Sequence, residues 1–365
     1  MTRLLHPGII TIFAALLLAA VEPAFAGDAG APPSLTAEEL KADLKTWDDH
    51  WNRVRFGHEY QKALTHFMKR VEKEPENPLS YVSVAVVRQA QLLELYSPEL
   101  EAEFYKYIDL TIEKAEAILE VDERNAAAYF LIGAASGYKA IWQSMNRQWI
   151  SSWRSGRKAT GSLDKAVEID PSIDDAYYGL GLFNYWRSEK SRIFWWLPWI
   201  SDKRQMGIDQ LHRTIEHGLF AGPEAKASMV YVWFQQDEPK KMLQYAQELY
   251  EYLNYSRFYK RLLADAWLKN NGGKQAEELY TSVYEELRKE PHATKHNLIL
   301  YRFRIAETIA YQARWDEAEA MCIDILNDDY PDTEAKPPNF KRRYNEVKGL
   351  LERCRKREHR FRLNN

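Results

Sequence analysis

Apolar and polar positions follow a helical period along most of this chain, and one phrase closes and reopens helices three times. Apolar residues recur three or four apart at Ala63 and Phe67, at Ala115 and Ile118, and at Ala159, Leu163 and Ala166, the spacing of a single helix face. Each run leads into an acidic stop: Glu74-Pro75, Asp122-Glu123 and Asp170-Pro171. Pro has no N–H to donate and clashes with the preceding turn, so it ends a helix. Six residues after each stop comes a tyrosine (Tyr81, Tyr129, Tyr177), and then Val84-Ala85, Ile132-Gly133 and Leu180-Gly181. The pattern predicts a closing helix, a short turn, and a new helix held close by its small residue.

The spacing makes this a repeat. Trp47 to Tyr81 is 34 residues, whereas Tyr81 to Tyr129 and Tyr129 to Tyr177 are each 48. The chain resembles the tetratricopeptide repeat family, whose unit is a helix–turn–helix of about 34 residues. Trp47, His50, Trp51, Ala63, Phe67 and Pro75 stand at family spacing, with His50 replacing the usual Leu and Trp51 the usual small residue. Later units follow at Leu263-Ala264 with Ala276 and Tyr280, and at Ile305-Ala306 with Ala318, Cys322 and Ile325. A degenerate unit over Pro223–Tyr252 joins them. The resemblance covers about residues 44 to 330. It implies an all-α fold, a right-handed superhelical array of antiparallel helix pairs, closed by a cap because a terminal unit cannot bury its apolar face alone. Phe340, Tyr344, Val347, Leu351, Cys354 and Phe361 form the apolar stripe of that cap. The rival reading of the stripe is a coiled-coil strand.

Composition adds a destination. Arg3 precedes 13 uncharged, mostly apolar residues from Ile9 to Val21, and Ala24-Phe25-Ala26 reads as a small-x-small cleavage site. A bilayer span takes ~20 apolar residues, so this is expected to be a signal peptide cut after Ala26, and the product to be periplasmic. The predicted organisation is signal peptide 1–26, linker and start of the first helix 27–43, repeats 44–336 and a basic capping helix 337–365. The formal net charge of −3 is unevenly placed, because Lys341 to Arg362 holds ten Lys or Arg against three Glu. A basic helix of this kind contacts anionic headgroups or an acidic partner, or serves as a solvated outer face. An exported protein meets little nucleic acid, so none is expected as a partner.

The resemblance also implies which side chains line the concave wall. These are Val82, Val86 and Gln89, then Phe130, Ala134 and Gly137, then Tyr178, Leu182 and Tyr185. Family members that clamp a C-terminal carboxylate carry Lys, Arg and Asn at such positions, and none stands there. The expected surface is apolar and suited to a protein or peptide segment, with Val82, Val86, Phe130, Tyr178, Leu182 and Tyr185 as candidate contacts. The alternative is that the lengthened helices or inserted segments fold back and fill it, making it core.

The chain holds 12 Trp and 22 Tyr, and the excess over repeat packing gathers in two inserts. Near 188–206, the run from Arg192 to Ile200 contains Phe194, Trp195, Trp196 and Trp199 around Pro198. Near 140–158, Trp142, Trp149 and Trp153 stand beside Arg147, Arg154, Arg157 and Lys158. Trp favours sites with one apolar and one wet side, so a membrane contact, a partner hot spot and a buried plug are all open for the first insert. Tyr178-Gly-Leu-Gly-Leu-Phe183 with Ser188, Leu197, Asp202, Arg204, Gly207, Ile208 and Leu211 is similar to the central block of the tetratricopeptide repeat protein 39 group. That likeness implies a built-in aromatic loop and no activity.

Nothing assembles an enzyme: there is no phosphate loop, dinucleotide fingerprint, nucleophile elbow or His-Glu-x-x-His helix. His292 and His296, four apart beside Glu290, lack a third spaced ligand and read as a solvated linker. No cofactor and no metal are expected. Cys322 and Cys354 are expected to be buried free thiols, since counting helix rise from the turn between them leaves their heights roughly 13 Å apart.

Overall fold

Each predicted stop coincides with a helix end. The computed structural model describes residues 35–45, 59–95, 99–191, 201–290, 293–328 and 340–358, which hold helices and no strand. They are α1 (37–45), α2 (Tyr60–Lys73), α3 (Pro78–Leu95), α4 (Glu99–Val121), α5 (Ala126–Met145), α6 (Trp149–Ile169), α7 (Ala176–Ser191) and α8 (Arg204–His217). There follow α9 (Gly222–Gln235), α10 (Pro239–Tyr252), α11 (Arg257–Lys269), α12 (Gly273–Leu287), α13 (Lys295–Tyr311), α14 (Trp315–Asn327) and α15 (Phe340–Lys356). The recurrent tyrosine has a visible purpose in the first copy. Tyr81 donates its hydroxyl to the Pro75 carbonyl at 2.7 Å, tying α3 to the turn it leaves. Asn125 caps α5 by accepting the Ala128 N–H at 2.9 Å.

From α2 onward each helix packs on its neighbours in sequence, and the first helices of successive pairs also pack on one another: α3 on α5, α5 on α7, α7 on α9 and α9 on α11. They form one wall of a tetratricopeptide-like solenoid, with the second helices behind it. Four of the first helices, α5, α9, α11 and α13, share one ending. Arg147, Asp237, Asn271 and Ala313 each take positive φ, between 60° and 63°. The next N–H in each case bonds back five residues, as Gln148 to Gln143, Glu238 to Trp233, Gly272 to Trp267 and Arg314 to Ile309. This left-handed closure satisfies carbonyls that the helix end would orphan. α15 ends the same way, with Arg357 at φ 50° and Glu358 bonded to Arg353. It also packs on both α13 and α14. The capping helix therefore occupies the place of one more first helix.

The extra residues of the 48-residue units lie in the helices themselves. α4, α5 and α6 run 23, 20 and 21 residues, against 13 to 15 for α11, α12 and α14. Residues 140–158 are thus the meeting ends of two long helices rather than a separate insert. Close approach of these pairs depends on glycine. A Cβ on Gly181 would stand 2.8 Å from the Gly207 carbonyl oxygen, and one on Gly207 would stand 2.7 Å from the Gly181 oxygen and the Tyr185 nitrogen. Backbone cannot give way there as a flexible side chain can. Gly181→Ala is expected to lower stability by about 1–3 kcal/mol through overpacking, which urea unfolding measures, while Gly161→Ala, with open space around it, should cost nothing.

Turns are cross-tied in the same economical way. Asp175, just before α7, accepts the N–H groups of Leu219, Phe220 and Ala221 at 2.9, 2.8 and 2.6 Å, organising the α8–α9 turn. Burial nonetheless pushes its carboxyl above the usual range.

Candidate partner-binding surface

The wall predicted to be open is largely core. Val82, Val86, Phe130 and Tyr185 are buried, at 5%, 2%, 6% and 0% exposure, and Gln89 is buried while donating to the Tyr138 carbonyl at 3.1 Å. Only Tyr178 and Leu182, both on α7, stay half-buried among the six candidate contacts. The first three belong to one hydrophobic cluster that also contains Leu35, Leu40 and Leu44 from the N-terminal segment. Val82, Val86 and Phe130 are therefore core in this structure rather than open surface.

The N-terminal segment of that cluster lies across three turns. The Leu35 carbonyl accepts from Asn125 at 2.9 Å, Lys41 reaches Asp170 at 2.9 Å and Ser172 at 2.6 Å, and Asp43 pairs with Arg70. Its start carries a capping box: Thr36 Oγ accepts the Glu39 N–H at 3.1 Å, and the Glu39 carboxylate accepts the Thr36 N–H at 2.7 Å. Thr36-x-x-Glu39 ahead of Leu40 and Leu44 was a legible helix signal. What one sequence did not signal was its destination, because no motif says which turns a leucine stripe will cover.

A second junction ties α2 and α3 to α11 and α13. Glu94, near the end of α3, accepts from Tyr60 on α2 and from the Nε of Arg257, the first residue of α11. Arg257 also donates to Glu290, beyond α12, at 3.3 and 3.4 Å. Asn297 of α13 donates to the Glu94 carbonyl at 2.5 Å. Pair two is thereby fastened to pairs six and seven, across 163 and 203 residues of sequence. Burial, aided by Glu94, holds the Tyr60 hydroxyl well above its usual pKa. No spacing rule announces this cluster. A narrow cleft follows along the same wall, lined by Val230, Tyr231, Phe234, Leu262, Asp265 and Arg304. Arg261 donates to the Tyr231 hydroxyl at 3.1 Å beside it.

The aromatic inserts separate. Phe194, Trp195, Trp196 and Trp199, like Trp47, His50 and Trp51, fall outside the described residues. The stem of the 188–206 segment is held: Lys203 N–H donates to buried Ser188 at 2.9 Å, and Arg204 reaches Glu189 at 3.2 Å. In the other cluster Trp142 is buried and donates to Glu101 at 2.9 Å, whereas Trp149 and Trp153 are exposed.

His296 does not sit in a solvated linker. It lies in the first turn of α13 at 4% exposure, and burial, with Arg343 and Arg342 adding, pushes its imidazole down to about 4. His292 lies outside the described residues, and no metal-holding group of His, Cys, Asp and Glu occurs among those described. Cys322 and Cys354 are both buried in the cluster shared by α13, α14 and α15. Burial, with Cys354 adding, pushes the Cys322 thiol up to about 12. The cap spends part of its basic charge on its own support: Arg355 pairs with Glu319 at 2.8 Å, Arg357 with Asp316 at 3.4 Å, and Arg343 lies over the Phe303 ring at 5.4 Å.

No family model matches the chain, and no curated protein matches it. Among solved structures it is similar to the crystal structure of yeast Tom70, at 13% identity and a TM-score of 0.42 over 90% of this chain and 68% of that one. It is also similar to the crystal structure of the P58(IPK) TPR domain, at 11% identity and a TM-score of 0.27 over 87% of this chain and 99% of that one. Likenesses at these scores carry no argument. The solenoid assignment rests on helix order, pairwise packing and the repeated left-handed closures.

Proposed function

We propose that this chain is an exported, non-catalytic scaffold that binds a segment of a protein partner on the wall of first helices, centred on α7. The observation that carries this reading is the half-buried row on α7. Tyr178, Leu182 and Trp186 pack against the hydrophobic cluster of pairs four to six while keeping part of their surface in solvent. Tyr178 packs against the N-terminal cluster as well, so α7 spans the join between two cores. Phe183, with Arg187 over its ring at 5.9 Å, extends the row. Aromatic residues held rigid with one face wet are the usual anchors of protein interfaces. The proposed surface is thus narrower than the wall inferred from repeat geometry, because Val82, Val86, Phe130 and Tyr185 are buried.

Export is supported by the apolar run at Ile9 to Val21 and the Ala24-Phe25-Ala26 site. A photo-crosslinking residue introduced at Leu182 is expected to yield one discrete protein adduct in cells, and one at exposed Lys165 none. A clean absence of adducts at Leu182 in a folded protein overturns the interface. N-terminal sequencing of the protein from cell fractions should begin at Gly27, and a chain retaining Met1 in the cytoplasm overturns export.

A further inference from the structure

The end of the α5–α6 hairpin has the composition and layout of a lipid contact. Eleven large apolar side chains are exposed among the described residues, and four of them (Met145, Trp149, Ile150 and Trp153) fall within nine consecutive positions. α6 faces α5 through Ser152, which donates to the Ala140 carbonyl at 2.9 Å, through Ser155, which donates to Gln143 at 2.8 Å, and through buried Ala159 and Leu163. At 100° per residue, Ile150, Trp153, Arg154 and Arg157 therefore share the opposite face, with Trp149 at its edge and Met145 across the turn.

Charge decides what that face fits. From Lys139 to Leu163 there are five basic residues and no acid. Lys139 and Lys158 are used within the molecule, at 2.7 Å from Asp109 and from Glu116 on α4. On α4, Glu101 accepts from Trp142 at 2.9 Å and Glu103 pairs with Arg88 at 2.5 Å. Arg147, Arg154 and Arg157 are exposed and pair with no carboxylate among the described residues, and Arg157 lies 5.4 Å from the Trp153 ring centre. Indole rings prefer the depth of lipid headgroups, and basic side chains beside them gain from an anionic surface. An exposed helix end with apolar side chains at its tip can dip into a bilayer interface while its arginines stay at the phosphates.

We infer that the α5–α6 end binds the surface of an anionic bilayer, with Trp149, Ile150 and Trp153 at the interface and Arg147, Arg154 and Arg157 on headgroup phosphates. This surface is separate from the α7 row and does not depend on it. The test is flotation of the chain, as recovered from the cells that make it, with vesicles of phosphatidylglycerol and phosphatidylcholine in equal amounts. Binding is expected, with loss on pure phosphatidylcholine or in high salt. Trp149→Ser/Trp153→Ser should abolish it, and Arg147→Gln/Arg154→Gln/Arg157→Gln should weaken it on the order of a hundredfold, at about fivefold per basic residue. All these positions are exposed, and an unchanged melting curve verifies the fold of each variant. Trp195→Ser/Trp196→Ser/Trp199→Ser should float as the parent does. Absence of flotation by the parent, flotation of the Trp149/Trp153 variant at parental level, or loss confined to the Trp195–Trp199 variant each overturns the proposal. So does a parent that fails to float but loses a crosslinked protein on the Trp149/Trp153 change, which would make the face a protein contact.

Discussion

Arg257→Ala is expected to lower unfolding free energy by about 3–5 kcal/mol, the cost of breaking a buried ion pair from one side. The guanidinium is only 8% exposed and serves two carboxylates, Glu94 at 16% and Glu290 at 28% exposure. Removing it takes the cation from beside Glu94, which Tyr60 also bonds, with a second carboxylate nearby and little water to screen them. The partial exposure of Glu290 places the loss toward the lower end, since that charge can turn to solvent. Arg257→Lys should recover only part of the stability, because an ammonium cannot span both partners as a planar fork does. A paired Glu94→Gln/Arg257→Met change should cost less than Arg257→Ala alone, as it removes both charges together. Urea unfolding of the purified proteins measures all three, and an Arg257→Ala loss below about 1 kcal/mol would show the junction to be incidental.

Acidification is expected to unseat the capping helix well above the pH at which paired carboxylates titrate. His296 titrates near 4 when folded, against 6.5 for the free side chain. A depressed value means that the unfolded chain takes up the proton first. The stability conferred by neutral His296 is therefore complete above about pH 6.5 and is lost progressively as pH falls towards 4. The loss reaches about 2 kcal/mol at pH 5 and about 3 kcal/mol at pH 4. Carboxylates held low by partners, such as Asp328 beside Lys295 and Glu248 beside Lys226, lose their contribution only below their ordinary values of 3.8 and 4.5. The two windows are separable. Since Arg342 and Arg343 of α15 are the charges that oppose His296 protonation, the first consequence should be release of α15, exposing Cys354, now 1% exposed. Thiol labelling of Cys354, corrected at each pH for the thiolate fraction of a free cysteine, should quicken between pH 6.5 and 5 in the parent chain and stay level in His296→Gln. A flat parental profile over that range would rule out the coupling.

Local stiffness explains how much could be read in advance. The helix ends near Glu74, Asp122 and Asp170 follow from proline, caps and acidic residues acting within a few positions of themselves. Tyr81 reaching back to Pro75 is likewise a local tie, and Gly181 or Ala85 must be small wherever two helices cross closely. The helix at 37–45 was legible in its capping box but was not recognised as a covering element. Whether the aromatic clusters face solvent was open from the sequence: Trp149 and Trp153 are exposed, and Trp142 is buried with its N–H on Glu101 of α4. Arg257 and Glu94 could not be paired in advance, since 163 residues lie between them and no periodicity runs across that distance.

What the residues alone determined about this protein is its grammar: helical periods, the turns between them, the repeat that makes pairs, and the basic stripe that ends the array. These are short-range properties, set by dihedral preference and side-chain spacing over one or two helical turns. Tertiary structure decided which apolar faces remain surfaces. It laid three leucines over the turns of the first pairs, buried Val82, Val86, Phe130 and Tyr185, fastened α3 to α11 and α13, and left the α7 row and the α5–α6 end in solvent. Burial is a property of what arrives from elsewhere in the chain, and the chain's curvature, summed over many helix crossings, controls what arrives.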